Sequence, residues 1–170
     1  MNQDIRIIIL GTSHPLQCGN TKCTDEQIKK FRECLNQIIS DYNIKCIVEE
    51  MNDEGLKKHE VDNTVAFDIS KGLKEIKHKY TDLSSEHIAD LCIYIDSFML
   101  RESTNYNSAN KRELLHRHLL NPIRERFWLS NILYLNTWPT LFICGSDHVN
   151  NMTDLINMLE YGPVHSFLSC

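Results

Sequence analysis

The chain has 170 residues, 42% of them hydrophobic and 24% charged, with a net charge of -5. That length buries one sizeable core and leaves no room for a second full domain with a linker, so one domain over residues 1–170 is expected. Lysines and arginines are scattered, without the basic stripe that neutralising nucleic-acid phosphates requires, and no segment has the length or basic lead of a membrane or secretory segment; the expected location is cytoplasmic, with no nucleic acid and no membrane as partner.

Seven cysteines, an odd number without framework spacing, fit a reducing compartment in which most are plain core or surface thiols. His14, Cys18 and Cys23 outline half of a zinc site but lack a matching second pair.

Residues 5–10 form a continuous β-branched apolar run closed by Gly11, the pattern of a strand buried on both faces of a parallel sheet. Residues 11–24 read as loop. Thr24 and Gln27 make a capping box, and Ile28, Phe31, Leu35, Ile38 and Ile39 recur at helical spacing to about residue 41. A second apolar run, 44–48, ends in Glu49 and Glu50 and completes a βαβ unit. Residues 61–73 read as helix, and 77–82 as a short third strand entering a loop at 83–85. Helical spacing returns over 85–100, a polar turn occupies 101–108, and 111–120 is helical again. Asn121 caps a further helix with Pro122 at its first position, running to about residue 135. Residues 140–144 make another buried strand. Residues 145–148 open a last helix with Val149, Met152, Leu155, Ile156 and Leu159 inward, and 164–168 add an edge strand. Together these elements predict an α/β fold: a mainly parallel sheet, helices on both faces, and a helical middle section at about 84–136.

One pattern recurs. ILGTSH at 9–14 and ICGSDH at 143–148 each place a GxxH just past a buried strand. The carboxyl ends of parallel strands open on one edge, where ligands bind, so His14 and His148 are expected to converge there with Glu49 and Glu50, within about 10 Å, the width of a small-molecule cleft. Each glycine lets the chain turn sharply and approach a ligand. Side chains alternate along a strand, so only one of Glu49 and Glu50 should face the cleft fully, but both are expected in the site because a twist or bulge at a strand end can bring both in. The plainer alternative is that the histidines are loop residues, that Ser146 and Asp147 cap the last helix, and that the acids are solvated.

In their order, GTSH at 11–14, VEE at 48–50, IRERFWLSNI at 123–132 and CGSDH at 144–148 resemble the superfamily that contains erythromycin esterases, TraB and Tiki proteins, and ChaN-like proteins. The resemblance covers both ends of the chain and leaves about 52–120 unmatched. It implies a fold of the erythromycin-esterase/ChaN type with its site at the carboxyl ends of the strands, and functional roles for His14, Glu49, Glu50, Arg124, Glu125 and His148. Members range from ester hydrolysis to metal-dependent proteolysis and to roles without catalysis. Phe127, Trp128 and Leu129 depart from the small or flexible residues usual after the Arg-acid pair.

The chemistry these groups support is hydrolysis of an ester or amide bond in a small-molecule or peptide substrate. A glutamate beside a histidine can take a proton from water while the second imidazole protonates the leaving group. Alternatively His14, Glu50 and His148 form a three-ligand set on a divalent metal such as manganese, cobalt or zinc, leaving a metal-bound water. Arg124 is expected to point at the glutamates, neutralising them or holding an oxyanion, with Glu125 fixing its guanidinium, Ile123 and Phe127 inward, and Arg126 exposed. The stripe Phe127, Trp128, Tyr134 is core or cleft wall. Ser13, Gln17, Asp147 and Glu125 are placed to contact substrate. A serine nucleophile lacks the GxSxG elbow, and Cys18 and Cys144 are weaker nucleophiles still. The second class of function open to this sequence is a non-catalytic binding or regulatory protein, such as a toxin-system partner, that retains the fold.

Overall fold

The computed structural model describes residues 6–20, 22–90, 119–159 and 164–168. The elements expected over 91–118 lie outside the described residues. In chain order the elements are β1 (Ile7–Thr12), α1 (His14–Cys18), α2 (Asp25–Asp41), β2 (Cys46–Glu49), α3 (Asp53–Lys58), α4 (Val65–Gly72), β3 (Lys77–Tyr80), α5 (Asn121–Leu135), β4 (Thr140–Gly145), a 3-10 turn (Ser146–His148), α6 (Val149–Met158) and β5 (Val164–Leu168). The five strands pair in parallel throughout, in the order β3-β2-β4-β1-β5.

The sheet divides the core by strand alternation. Ile7, Ile9, Cys46, Val48, Phe142 and Cys144 face Trp128, Leu129 and Ile132 of α5 and Val149, Met152 and Ile156 of α6. On the other side, Ile8, Leu10, Ile47, Leu141 and Ile143 meet α2 and α4. Helices therefore cover both faces, which is why the strands read as continuous apolar runs. The chain leaves neighbouring β1 and β4 toward opposite faces, so a crevice opens between their carboxyl ends.

Several expected elements appear as read. Thr24 and Gln27 form a reciprocal capping box, and Phe31, Leu35, Ile38 and Ile39 are the buried residues of α2. β5 pairs with β1 at the sheet edge. No helix among the described residues is long and apolar enough to cross a membrane. Cys18, Cys23, Cys46 and Cys144 are free thiols, whereas Cys34 is disulfide-bonded and departs from the expectation of plain thiols.

Other expectations are corrected. The segment after β1 is not all loop: α1 starts at His14 with Pro15 in its first turn and stops at Gly19, which takes the left-handed conformation at φ 61. α3 escapes the apolar periodicity because Leu56 is its one buried residue. Asn121 is not a cap, since Leu120 before it is already helical and the helix makes no side-chain cap. Pro122 is tolerated because a first-turn residue needs no N–H donor. α5 is rotated from its expected phase, burying Glu125, Trp128, Leu129 and Ile132 and leaving Ile123, Phe127 and Tyr134 36%, 39% and 86% exposed. Leu159 lies beyond the end of α6 and is about half exposed.

The two GxxH glycines also serve differently from expectation, because neither takes a positive φ. A Cβ on Gly11 would sit 2.5 Å from Val149 Cγ2 and 3.2 Å from Ser146 Cα, so this glycine lets the start of α6 pack onto β1. Gly72, the last residue of α4, has open space around it. Gly11→Ala should therefore cost roughly 1–3 kcal/mol through overpacking. Gly72→Ala should gain about 0.4–1 kcal/mol by restricting the unfolded chain. Urea denaturation of both variants checks the pair, and equal effects would contradict the packing described.

Candidate functional site

β1, β2 and β4 deliver His14, Glu50 and His148 to one edge of the sheet, and Glu50 is the point on which they meet. Its backbone N–H donates to Ile143 O at 2.8 Å, extending the β2–β4 ladder by one residue and fixing where the side chain emerges. The carboxylate is 2% exposed. Gly145 N–H donates to Oε2 at 2.7 Å, and Arg124 Nη2 donates to Oε1 at 2.7 Å. The same Oε1 lies 3.7 Å from His148 Nε2 and 4.0 Å from His14 Nε2. Two imidazoles from segments more than a hundred residues apart thus present the same nitrogen to one oxygen, as the repeated GxxH pattern leads one to expect.

Arg124 points inward at Glu50, the expected direction. Its principal anchor is a residue that sequence reasoning missed, Asp82, which accepts from Nε at 3.0 Å and from Nη2 at 2.8 Å. Asp82 also accepts from Trp128 Nε1 at 3.1 Å, and the guanidinium lies over the Trp128 ring, 4.8 Å from its centroid. Burial opposes the charge on Arg124, but the Asp82 hydrogen bonds and the charges of Glu50 and Asp82 outweigh it and raise the guanidinium above its ordinary range. Asp82 carried one signal in the sequence: like Glu50, it follows the end of a short strand.

Glu125 does not hold Arg124, contrary to expectation. Successive helical residues point about 100° apart, so the two cannot share one target. Glu125, 4% exposed, instead accepts from Asn151 Nδ2 at 3.1 Å and lies 2.7 Å from His148 Nδ1. A carboxylate only accepts, so His148 carries a proton on Nδ1. Trp128 packs edge-on against the His148 ring, with centroids 4.9 Å apart. This fully buried indole is the wall under both Arg124 and His148.

Glu49 does not join Glu50 at the cleft, contrary to the expectation that a twist or bulge would bring both in: β2 stays regular to its end, and alternation turns Glu49 to the opposite face of the sheet. It is completely buried and accepts from Gln17 Nε2 at 2.7 Å, from the Thr64 hydroxyl, and from His78 Nε2 at 2.6 Å. His78 is held between Phe67 and Tyr80 by edge-on ring contacts. Neither Thr64 nor His78 was legible as a partner, because their proximity to Glu49 comes from the β2–β3 register and the start of α4.

A cleft of about 400 Å³ opens beside Glu50, and its wall includes His14, Lys58, His59, Asp82 and Arg124. His14 is 43% exposed there. Burial, then the nearby His14, Lys58 and Lys22, pushes the His59 imidazole below its ordinary range. Ser13 and Asp147, expected to contact substrate, are exposed and do not line the cleft. Neither Ser13 nor the Ser146–His148 turn makes a side-chain cap, so the capping alternative for Ser146 and Asp147 does not hold. Gln17 and Glu125 are likewise off the cleft wall and contact the histidines instead. Cys18 and Cys144 are poor nucleophiles: burial and then Glu49 push the Cys18 thiol up to about 11, and burial, then Glu50 and Glu125, hold the Cys144 thiol well above its ordinary range.

The donor set does not suit a divalent metal. Glu50 Oε1, the oxygen nearest both imidazoles, already accepts from the Arg124 guanidinium, so an ion on His14, Glu50 and His148 would sit against a fixed positive charge. Among the described residues no group of three His, Cys, Asp or Glu side chains is arranged to hold a metal ion, the His14, Cys18, Cys23 set included.

Removing Arg124 leaves Glu50 and Asp82 facing one another without a cation. Arg124→Ala should cost roughly 3 kcal/mol, the lower end for breaking a buried pair, because Arg124 and Asp82 are each 15% exposed. Arg126 is exposed and, among the described residues, reaches only the Pro122 carbonyl, so Arg126→Ala should stay within about 0.5 kcal/mol. Arg124→Lys should recover only part of the loss, since a point charge cannot grip Asp82 twice while reaching Glu50. Denaturant midpoints of the three variants check this, and equal small losses for Arg124→Ala and Arg126→Ala would contradict it.

No family model, curated protein or solved structure matches the chain.

Proposed function

We propose that the protein is a hydrolase of an ester or amide bond in a small-molecule or peptide substrate, working by water activation without a metal. The observation that carries this is the meeting of two imidazole Nε2 atoms on one arginine-bound Glu50 oxygen at the wall of a cleft. His14, on the cleft wall, is the general base: a water held between it and Glu50 gives its proton to Nε2 as its oxygen bonds to the carbonyl carbon. The carbonyl oxygen becomes an oxyanion. Arg124 lines the cleft, and its Nη1, which has no hydrogen-bond partner among the described residues, is the donor left to stabilise that charge. The C–O or C–N bond then breaks, and the leaving oxygen or nitrogen takes the proton from His14, giving a carboxylic acid and an alcohol or amine. His148, whose Nδ1 is held by Glu125 as a base is oriented in a triad, closes off the buried side of Glu50, its Nε2 lying 3.7 Å from Oε1 without a hydrogen bond.

We also propose that the chain is a member of the superfamily of erythromycin esterases, TraB/Tiki and ChaN-like proteins, with its site at the carboxyl ends of the strands. Support comes from the order of GTSH, VEE, the Arg124-Glu125 helix and CGSDH, and from the contact of all four segments around Glu50. Fold alone would not give the reaction, so activity must be tested directly.

Purified protein assayed on a panel of esters, lactones and amides should turn over at least one class, at the same rate with a chelator present. His14→Ala should lower kcat by about 10²–10⁴-fold, the usual weight of a general base. Chelator-sensitive turnover restored by manganese, cobalt or zinc would overturn the metal-free mechanism. A folded protein silent on the whole panel would favour a non-catalytic binding or regulatory protein.

A further inference from the structure

Glu49 is the largest element of the site that the hydrolytic steps leave unused. It is fully buried, faces away from the cleft, and still connects to it through one side chain. Gln17 Nε2 donates to Glu49 Oε2 at 2.7 Å, and Gln17 Oε1 lies 3.3 Å from His14 Nδ1. The polarity of this chain is fixed from its buried end. The Thr64 hydroxyl accepts from Phe67 N–H and so donates to Glu49, and His78 Nε2 lies 2.6 Å from the same oxygen. A carboxylate accepting on both oxygens turns the Gln17 NH2 group toward itself, which turns the Gln17 carbonyl toward His14. A carbonyl can only accept, so the contact requires a proton on His14 Nδ1.

We propose that Glu49 and Gln17 are positioning residues that hold the His14 proton on Nδ1 and thereby keep the Nε2 lone pair facing the cleft. A free neutral histidine prefers the opposite tautomer, with its proton on Nε2, where it could not accept from water. Gln17 is the only hydrogen-bond partner of His14 Nδ1 among the described residues, and the neighbouring His59 contacts the ring without a hydrogen bond, at a centroid distance of 5.9 Å. The two histidines therefore reach the same state by different devices: His148 through a direct carboxylate, and His14 through an amide that transmits a carboxylate's polarity around the end of β1. The catalytic value of the arrangement rests on His14 being the base, but the tautomer itself does not.

The test is nitrogen-15 NMR of the full chain labelled in histidine, recorded without substrate at a pH where His14 is uncharged, with kcat measured alongside. In the wild-type protein His14 should be mostly the Nδ1–H form. Gln17→Met removes the acceptor and should reverse the ratio toward Nε2–H. Glu49→Gln substitutes an amide that can donate or accept, so the imposed polarity is lost and the two forms should mix. Unchanged His148 signals report that each variant is folded, and either variant alone suffices if the other is not. On a substrate that the wild type turns over, kcat should fall several-fold in Gln17→Met with KM little changed, in proportion to the fraction of His14 that leaves the Nδ1–H form. A wild-type proton on Nε2, or an Nδ1–H form that persists in both variants, overturns the proposal. The expected tautomers in a protein silent on every substrate would sink the hydrolase and leave the positioning role standing, whereas turnover with unmoved tautomers would do the reverse.

Discussion

A carboxylate that is 2% exposed needs a cation and a full set of hydrogen bonds, and most of what is distinctive in this protein follows from meeting that need at Glu50. The cation is Arg124, which itself is buried and so needs its own anchor, Asp82, and a flat surface, Trp128. Trp128 in turn fills the space between α5 and the sheet and sets the plane of His148. One buried charge thus ties together β2, β3, β4 and α5. The remaining Glu50 oxygen takes the Gly145 N–H, so the carboxylate also pins the chain where it leaves β4. Such clusters add little net stability over an apolar core, but they tolerate no partial loss, and they hold side-chain positions tightly.

The same constraint explains why His14 and His148 meet at Glu50, with a cleft opening on the His14 side. β1 and β4 are neighbours, and the segments that follow them depart to opposite faces of the sheet. Each departing segment carries a histidine past the last ladder residue, and Glu50 stands between them because β2 pairs with β4. A larger hollow of about 620 Å³ lies near Arg6, Asn43 and Trp138, around the opposite ends of the strands. It has volume but no comparable convergence of imidazoles and carboxylates, so size alone is a poor guide to where chemistry occurs.

Features set by local pattern were legible in the sequence. The apolar runs gave the strands, the Thr24 box gave the start of α2, and strand alternation separated Glu49 from Glu50. The repeated GxxH gave the convergence of His14 and His148, because parallel strands share one open edge. Features set by helix phase or by distance in space were not legible. α5 carries apolar residues nearly all round, so its period leaves the buried face open, and Ile123 and Phe127 were expected where Trp128 and Leu129 lie. That error of phase also misassigned Glu125. Thr64 and His78 reach Glu49, and Asp82 reaches the Arg124 that holds Glu50, from segments whose relation to β2 is decided by sheet register, which the residues of one strand do not encode. α3 buries a single leucine and so leaves no periodic signal.

On the proposed reading a guanidinium, and not a metal, compensates Glu50, and a water lies between His14 and Glu50. A crystal structure of the protein grown with excess manganese or zinc, with anomalous data collected at the metal's absorption edge, tests this most directly. The expected result is Arg124 on Glu50 and Asp82, an ordered water within hydrogen-bonding reach of His14 Nε2 and Glu50, and no anomalous peak between the histidines. An anomalous peak bonded to His14, Glu50 and His148, with Arg124 displaced from the carboxylate, would contradict it.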